Sequence, residues 1–233
     1  MRLHRFYVPN TDFAVGKKVE LSASEHLHQW KNVFRLEVGD EIVVFNGAEE
    51  AEYRAKFVTL SKTEAELEIL EKREVEKAKR EVSLYVALIK KDRFEWLVEK
   101  ATELGVARIC PVLSERTEVK GVNSERVQKI AIEAVEQSGQ CRVPRIEEIV
   151  TLKIALEQAI NPFVCDIGAQ TAASSFSGTE PISIFIGPEG GWSPAEKALF
   201  TEKKVPTISF GKNTLRAETA ALVSAVLALD MSS

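Results

Sequence analysis

The spacing of apolar positions changes character part-way along the chain. Up to about residue 72 the runs are short and alternate with polar residues, the period of half-buried strands: Phe6-Tyr7-Val8-Pro9, Glu41-Ile42-Val43-Val44-Phe45, Tyr53 to Leu60 and Ala65 to Leu70. Asn46-Gly47 closes the second of these as a tight turn. One helix is expected near Ser24 to Phe34, followed by a turn at Val38-Gly39-Asp40. This pattern predicts a small β-barrel. From Val82 onward, strand and helix signals alternate. Val82 to Ile89 is a near-continuous apolar strand. Asp92 with Glu95 three residues later predicts a capped helix start. Phe94, Leu97, Val98, Ala101 and Leu104 form that helix's apolar stripe, and Gly105 ends it. Ile109 to Leu113, Phe163 to Cys165, Ile182 to Ile186 and Thr207 to Phe210 read as further strands. Glu125 to Ser138, Thr151 to Ile160 and Ala217 to Leu229 read as helices. Another helix starts at Ser193-Pro194-x-Glu196, which supplies an N-cap, a first-turn proline and an N3 glutamate.

The stretch Glu71 to Glu81 is almost all charge, the mark of a solvated connector. A domain boundary is therefore expected there, giving residues 1–72 and 73–233. Alternating strands and helices in the second part predict an α/β fold with a mostly parallel sheet and helices on both faces. Such sheets bind ligands beyond the carboxyl ends of their strands, so the loops leaving those ends are the places to look for chemistry.

Composition narrows the function classes. The 233 residues are 45% hydrophobic and 28% charged, ordinary for a globular chain able to bury a core. No apolar run reaches the ~20 residues of a membrane span, and the N-terminus lacks the apolar stretch of a secretory signal. Cys110, Cys141 and Cys165 are odd in number and far apart, which argues against a disulfide framework or a zinc site and for a reducing cytoplasm. His26 and His28 lie two apart on a helix and do not face together, so no metal site is expected. The net charge of -4 weighs against a nucleic-acid binder, but the charge is polarised. Arg2, Arg5, Lys17, Lys18, Lys31 and Arg35 dominate residues 1–35, and Lys203, Lys204, Lys212 and Arg216 stand without an acid over residues 203–216. Scattered solvated charge and an RNA-facing surface both fit.

Two loops stand out. Gly187-Pro188-Glu189-Gly190-Gly191-Trp192 joins a buried strand to a strongly capped helix, and its glycines allow positive φ and close approach of a ligand to the backbone. A tight strand-to-helix turn is the plain structural reading. No Gly-Lys-Ser/Thr follows, so it is not a Walker A loop, and the glycine spacing is wrong for a dinucleotide fingerprint. The second loop is Phe210-Gly211-Lys212-Asn213-Thr214-Leu215-Arg216-Ala217-Glu218. Glu218 at a helix start is favoured by the helix dipole, whereas Arg216 is disfavoured there and calls for another reason.

Gly187 to Gly191 followed by Leu215-Arg-Ala-Glu-Thr-Ala220 resembles the signature pair of the RsmE-type methyltransferases of the SPOUT superfamily. Lys90 to Val106, Glu133 to Gly139 and His26 to Asp40 resemble further family segments, so the likeness runs in order along the whole chain. Trp192 stands where phenylalanine is expected, Ala217 where threonine is common, and Gln140-Cys141 at a position that is often arginine. The resemblance implies an N-terminal PUA-like barrel, a C-terminal SPOUT domain with a trefoil knot, and a homodimer. It implies methyl transfer from S-adenosylmethionine to N3 of a uridine in small-subunit ribosomal RNA. It places Ile186, Gly187, Gly190, Gly191, Phe210, Gly211, Leu215 and Ala220 against the cofactor.

The uracil ring nitrogen is a poor nucleophile until it loses its proton. A fixed guanidinium beside the flanking carbonyl would stabilise the developing charge, and Arg216 is the candidate. Glu189, Glu218 and water are candidates for the base. Arg2, Arg5, Lys31 and Arg35, with Lys90, Lys91 and Arg93, are the expected RNA contacts. Trp30 and Trp96 are expected to pack rather than to stack on bases. Three rival readings stay open: a non-catalytic RNA-binding protein, a nucleotide-binding enzyme, and a methyltransferase acting on transfer RNA or large-subunit RNA.

Overall fold

The computed structural model of the protein describes residues 3–22, 24–119, 121–167, 176 and 178–229. The chain divides into two compact units, Met1–Lys77 with Val135–Arg142, and Ala78–Ala134 with Val143–Ser233.

The first unit holds a five-stranded sheet. Its strands are β1 (Arg5–Tyr7), β2 (Lys18–Leu21), β3 (Glu41–Phe45), β4 (Ala51–Leu60) and β5 (Ala65–Glu74), in the order β1-β3-β4-β5-β2. β1 runs parallel to β3; every other pair is antiparallel. Helix α1 (Ser24–His28) continues into a π-helical turn over Gln29–Val33, where the Phe34 amide donates to the Gln29 carbonyl. Trp30 lies in that turn, fully buried and edge-on to Phe57 at 5.1 Å. Its packing role is thus as expected.

The second unit is an all-parallel sheet of β6 (Val82–Ala87), β7 (Arg108–Leu113), β8 (Arg145–Ile146), β9 (Val150–Thr151), β10 (Pro162–Cys165), β11 (Ile182–Ile186) and β12 (Thr207–Ile208). The order is β12-β10-β11-β6-β7-β8, with β9 also paired to β7. Among the described residues the helices that accompany it are α2 (Lys91–Glu103), α3 (Ser124–Ser138, whose residues from Val135 on belong to the first unit), α4 (Leu152–Gln158), α5 (Pro194–Glu202) and α6 (Ala217–Leu229). Strand side chains alternate between two cores. Leu84, Val86, Ile184 and Ile186 join Phe94 and Leu97 of α2 and Ala221 and Ala225 of α6. Tyr85 and Phe185, stacked at 4.7 Å, join Leu152 of α4 and Phe200 of α5. Both faces of the central strands are therefore buried, which is why their sequence reads as unbroken apolar runs. The mixed α/β architecture with a parallel sheet is the one expected from the alternation.

Several details differ. α2 begins at Lys91 with Lys90 as its N-cap and no side-chain cap. Glu95 instead faces Lys91 at 3.8 Å and Arg126 at 3.2 Å, so the apparent capping box serves ion pairing. α4 starts one residue late, with Thr151 capping it, and ends at Gln158. The last strand stops at Ile208 rather than Phe210. Trp96 is 44% exposed, not packed, because it falls outside the stripe of α2. β2, β8 and β9 carry no apolar run and were not anticipated. No described helix is long and apolar enough to cross a membrane.

Candidate active site

At the carboxyl end of β11 the chain enters the first glycine loop. Trp192 is 2% exposed, donates its ring N–H to the Cys165 carbonyl at 3.3 Å and lies edge-on to Phe200. This folds the loop back over the end of β10. A Cβ on Gly187 would come within 3.1 Å of the Trp192 ring, so any side chain there would push the ring by a few tenths of an ångström. Gly191 takes φ +67° and donates to the Pro188 carbonyl at 2.8 Å, closing the turn. The capping box forms as the sequence predicts: Ser193 Oγ accepts from the Glu196 amide, and the Glu196 carboxylate accepts from the Ser193 amide at 2.8 Å. The same carboxylate also accepts from the Glu115 amide at 2.9 Å, tying in the segment after β7. Arg116 in that segment donates to the Gly190 carbonyl at 2.8 Å.

The second loop, after β12, is looser. Residues 211–214 are exposed, Gly211 takes φ +110°, and Ser209 Oγ donates to the Gly211 carbonyl at 3.2 Å. The Arg216 carbonyl accepts the amide of Ala220, the start of the α6 ladder. The Arg216 side chain is exposed and has no partner among the described residues.

Between the loops lies a cavity of about 480 Å³ at the carboxyl ends of β10, β11 and β12. Of the expected cofactor residues, Ile186, Gly187, Gly190, Gly191, Phe210, Leu215 and Ala220 line it and Gly211 does not. Glu189 and Arg216 also line it; Glu218 does not. Glu218 is buried behind the cavity with one carboxylate oxygen lacking a hydrogen-bond partner. Arg93, on α2, is ion-paired with Glu189 and reaches Glu218 at 3.9 Å. Its guanidinium is thereby engaged by two carboxylates rather than presented as a free RNA contact.

The other expected RNA contacts scatter. Arg2 lies outside the described residues. Arg5 is no surface cation: its side chain is 7% exposed, paired with Glu52, and donates to the Gln140 carbonyl at 2.7 Å. β1 and β3 pair side by side, and this places Arg5 over Phe45 in the interior. Lys31 and Arg35 line one hollow of about 360 Å³ in the first unit, while Lys90 and Lys91 are exposed in the second.

Sequence reasoning missed Arg116, Asp166 and Lys197, which also line the cavity; the last two are ion-paired with each other. Asp166 directly follows β10, so the rule for strand carboxyl ends could have found it. Cys165 lines the cavity too, and burial pushes its thiol up to about 12, which keeps it protonated and unreactive at neutral pH.

Residues 76–229 match the family model of the RNA methyltransferase domain. The chain belongs to this RNA methyltransferase family. It is 33% identical over 232 residues to the ribosomal RNA small subunit methyltransferase E of Rickettsia conorii, covering 96% of this chain and 94% of that protein. The Bacillus subtilis protein of the same name is 28% identical, with 94% and 93% covered. Among solved structures, the ribosomal RNA small subunit methyltransferase E of Neisseria gonorrhoeae, bound to S-adenosyl methionine, aligns with a TM-score of 0.87 at 30% identity, over 97% of this chain and 96% of that one. A Legionella pneumophila methyltransferase in complex with the cofactor SAM aligns at 0.86 and 28% identity, over 97% of each chain.

Proposed function

We propose that the protein transfers a methyl group from S-adenosylmethionine to N3 of a specific uridine in small-subunit (16S) ribosomal RNA. One observation carries the reading: two glycine-bearing loops, at the carboxyl ends of the parallel strands β11 and β12 that flank β10, enclose a cavity whose wall carries an arginine with no partner among the described residues. The cavity suits the cofactor. Its volume falls within the ~300–1,000 Å³ usual for small-molecule sites. Ile186, Ile208, Leu215 and Ala220 offer apolar walls for a purine, and the backbone of Gly187 and Gly191 offers polar groups to its edge and ribose. Walker-type phosphate chemistry is not called for, since this donor carries no phosphate. The names and bound ligand of the relatives point the same way.

The bound cofactor supplies an electrophilic methyl group on a sulfonium. In this reading the chain's own residues prepare the acceptor. Arg216 faces the uracil carbonyl beside N3 and stabilises the charge that deprotonation spreads onto it. Of the two glutamates, Glu189 lines the cavity and is the better placed base; Glu218 acts through Arg93, which it helps to hold. The first unit is read as the PUA-like RNA-binding barrel, nominally residues 1–72, and residues 73–233 as the SPOUT domain with its trefoil knot. The enzyme is read as a cytoplasmic homodimer. Lys31, Arg35, Lys90 and Lys91 are its RNA contacts, an assignment supported by the exposure of Arg35, Lys90 and Lys91 and by the segments resembling the family, while Lys31 is half-buried and donates to the Leu60 carbonyl.

Incubation with labelled S-adenosylmethionine and small-subunit particles lacking the modification, followed by nucleoside analysis, tests this. Label in N3-methyluridine is the expected result. Cofactor binding with label in no ribosomal RNA points to a different RNA, and absence of cofactor binding removes the enzymatic reading.

A further inference from the structure

Arg93 stands where α2, the glycine loop after β11 and the start of α6 meet. It lies in the first turn of α2, where the positive end of the helix dipole opposes a cation. Phe94 and Leu97 of α2 share a core with Ala221 and Ala225 of α6, which brings Arg93 beside the first turn of α6. There the guanidinium meets two carboxylates of different standing. Glu189 lines the cavity, is ion-paired with Arg93 Nη1, and has a side chain 45% exposed. Glu218 follows Arg216 by two residues, in the first turn of α6, and its side chain is only 9% exposed. Its Oε1 lies 3.9 Å from Arg93 Nε, near the limit of an ion pair, and its Oε2 is buried without a hydrogen-bond partner. A buried carboxylate with an unused oxygen is a standing acceptor for a donor within reach, because water does not satisfy it. Pairing with Glu189 therefore leaves Glu218 half satisfied and Arg93 with a second place to go.

We infer that Arg93 is a positioning residue for the methyl transfer: it aims the Glu189 carboxylate before the ring proton moves and passes its charge to Glu218 once Glu189 is neutral. This rests on the methyl-transfer reading above, with Glu189 as the base. The glycine loop does not need Arg93 to keep its shape. The Trp192 bond to the Cys165 carbonyl, the Arg116 bond to the Gly190 carbonyl and the Ser193–Glu196 capping box hold its backbone. What Arg93 fixes is the Glu189 side chain, so the carboxylate meets the acceptor already oriented. The charges balance through the step. One guanidinium and two carboxylates carry a single net negative charge at the start. The ring N–H proton passes to Glu189, the electron pair left on the ring nitrogen forms the bond to the methyl carbon, and the sulfur–methyl bond breaks with its pair returning to sulfur as a neutral thioether. Glu189 is then uncharged, and the part-buried guanidinium would stand uncompensated were Glu218 not beside it. Closing 3.9 Å to an ordinary hydrogen bond takes a shift of about 1 Å.

Two variants of the full chain test this, each made alone and in a Glu189→Gln background. Glu218→Gln keeps the shape and removes the second counter-ion. Arg93→Lys keeps the charge that compensates buried Glu218, and so the fold, but replaces the fork with a single ammonium. Calorimetry gives S-adenosylmethionine affinity, and methylation of unmodified small-subunit particles gives the single-turnover rate and the half-saturating particle concentration. The expected result is a rate lowered about tenfold in each variant, with cofactor affinity and half-saturation within about twofold of the parent. In the Glu189→Gln background, itself slower by about 10²-fold or more, either change should cost less than about twofold further, because both act through the Glu189 carboxylate. An unchanged rate in Glu218→Gln overturns the inference. So does weaker half-saturation with the rate kept in Arg93→Lys, which makes Arg93 an RNA contact. An equal fall in both backgrounds also overturns it, since Arg93 then acts independently of Glu189. Cofactor affinity falling in step with rate does the same, since the three residues then merely support the cavity. A parent that binds no cofactor, or labels no small-subunit RNA, sinks the proposed function and the inference with it. Glu189→Gln as fast as a working parent leaves that function standing and removes the inference alone.

Discussion

The two loops that enclose the cavity are built in opposite ways. Gly187 to Trp192 is held from every side: Trp192 is buried beneath it, Arg116 holds the Gly190 carbonyl, Arg93 holds Glu189, and a capping box follows at once. Ser209 to Arg216 is held mainly at its ends, and its middle is open to solvent. One wall of the site is thus preorganised and its polar groups are largely used in maintaining itself. The other keeps spare groups, Arg216 foremost, that can respond to a substrate. A rigid wall lowers the cost of ordering on binding, while an adaptable one brings a charge to bear when the acceptor arrives.

The sharpest test of this contrast is Arg216→Ala. Loss of one donor to a developing oxyanion predicts a fall of about 10²–10³-fold in single-turnover methyl transfer, with cofactor affinity kept. An equal loss of cofactor affinity would place Arg216 in the scaffold and erase the contrast. Next in size is Glu196→Ala in the rigid wall. It leaves the Ser193 cap but removes the acceptor of both the Ser193 and the Glu115 amides, and urea unfolding should show a loss of about 2–3 kcal/mol. Lys212→Ala, in the exposed loop, should cost under about 0.5 kcal/mol in the same assay. A finer probe is the pair Gly187→Ala and Trp192→Phe. Each alone should cost about 1 kcal/mol, the first by crowding the ring and the second by losing the hydrogen bond to Cys165. The double variant should cost less than the sum, because the smaller ring makes room; strict additivity would show that the two residues do not compete for space. The smallest expected effect concerns Cys165. Its raised pKa predicts very slow alkylation at pH 8, followed by mass spectrometry, with rate rising only toward strongly alkaline pH. By the same sign, its contribution to stability is intact below the ordinary thiol value of 9.0 and is lost as pH climbs toward 12.

What was legible in the sequence was what local chemistry decides. The run Ile182 to Ile186 had to be a strand buried on both faces, and Ser193-Pro194-x-Glu196 had to start a helix. Both glycine loops were visible because glycine and proline mark the chain where backbone geometry is unusual. Features set by distant partners were not legible. β8 and β9 are two-residue strands that exist because β7 offers an edge, so nothing in their own residues announces them. The grouping of Val135–Arg142 with the N-terminal residues depends on Arg5 finding the Gln140 carbonyl across 135 positions. Arg5 and Arg93 looked like surface cations, since a sequence does not show which arginines meet buried carboxylates. Arg116 was missed because its loop carries no periodic signal and reaches the site only through the Gly190 carbonyl.

The neighbour of β6 across the middle of the parallel sheet is β11, with Val82 opposite Ile182. About 100 residues separate them, so a ribosome making this protein adds them over roughly 5–20 seconds. Throughout that interval β6 can pair with β7 on one side only, and the other edge of a strand that ends up almost wholly buried stays open. An uncovered apolar edge is a template for wrong pairing. The nascent chain therefore carries that open edge until β11 has been made.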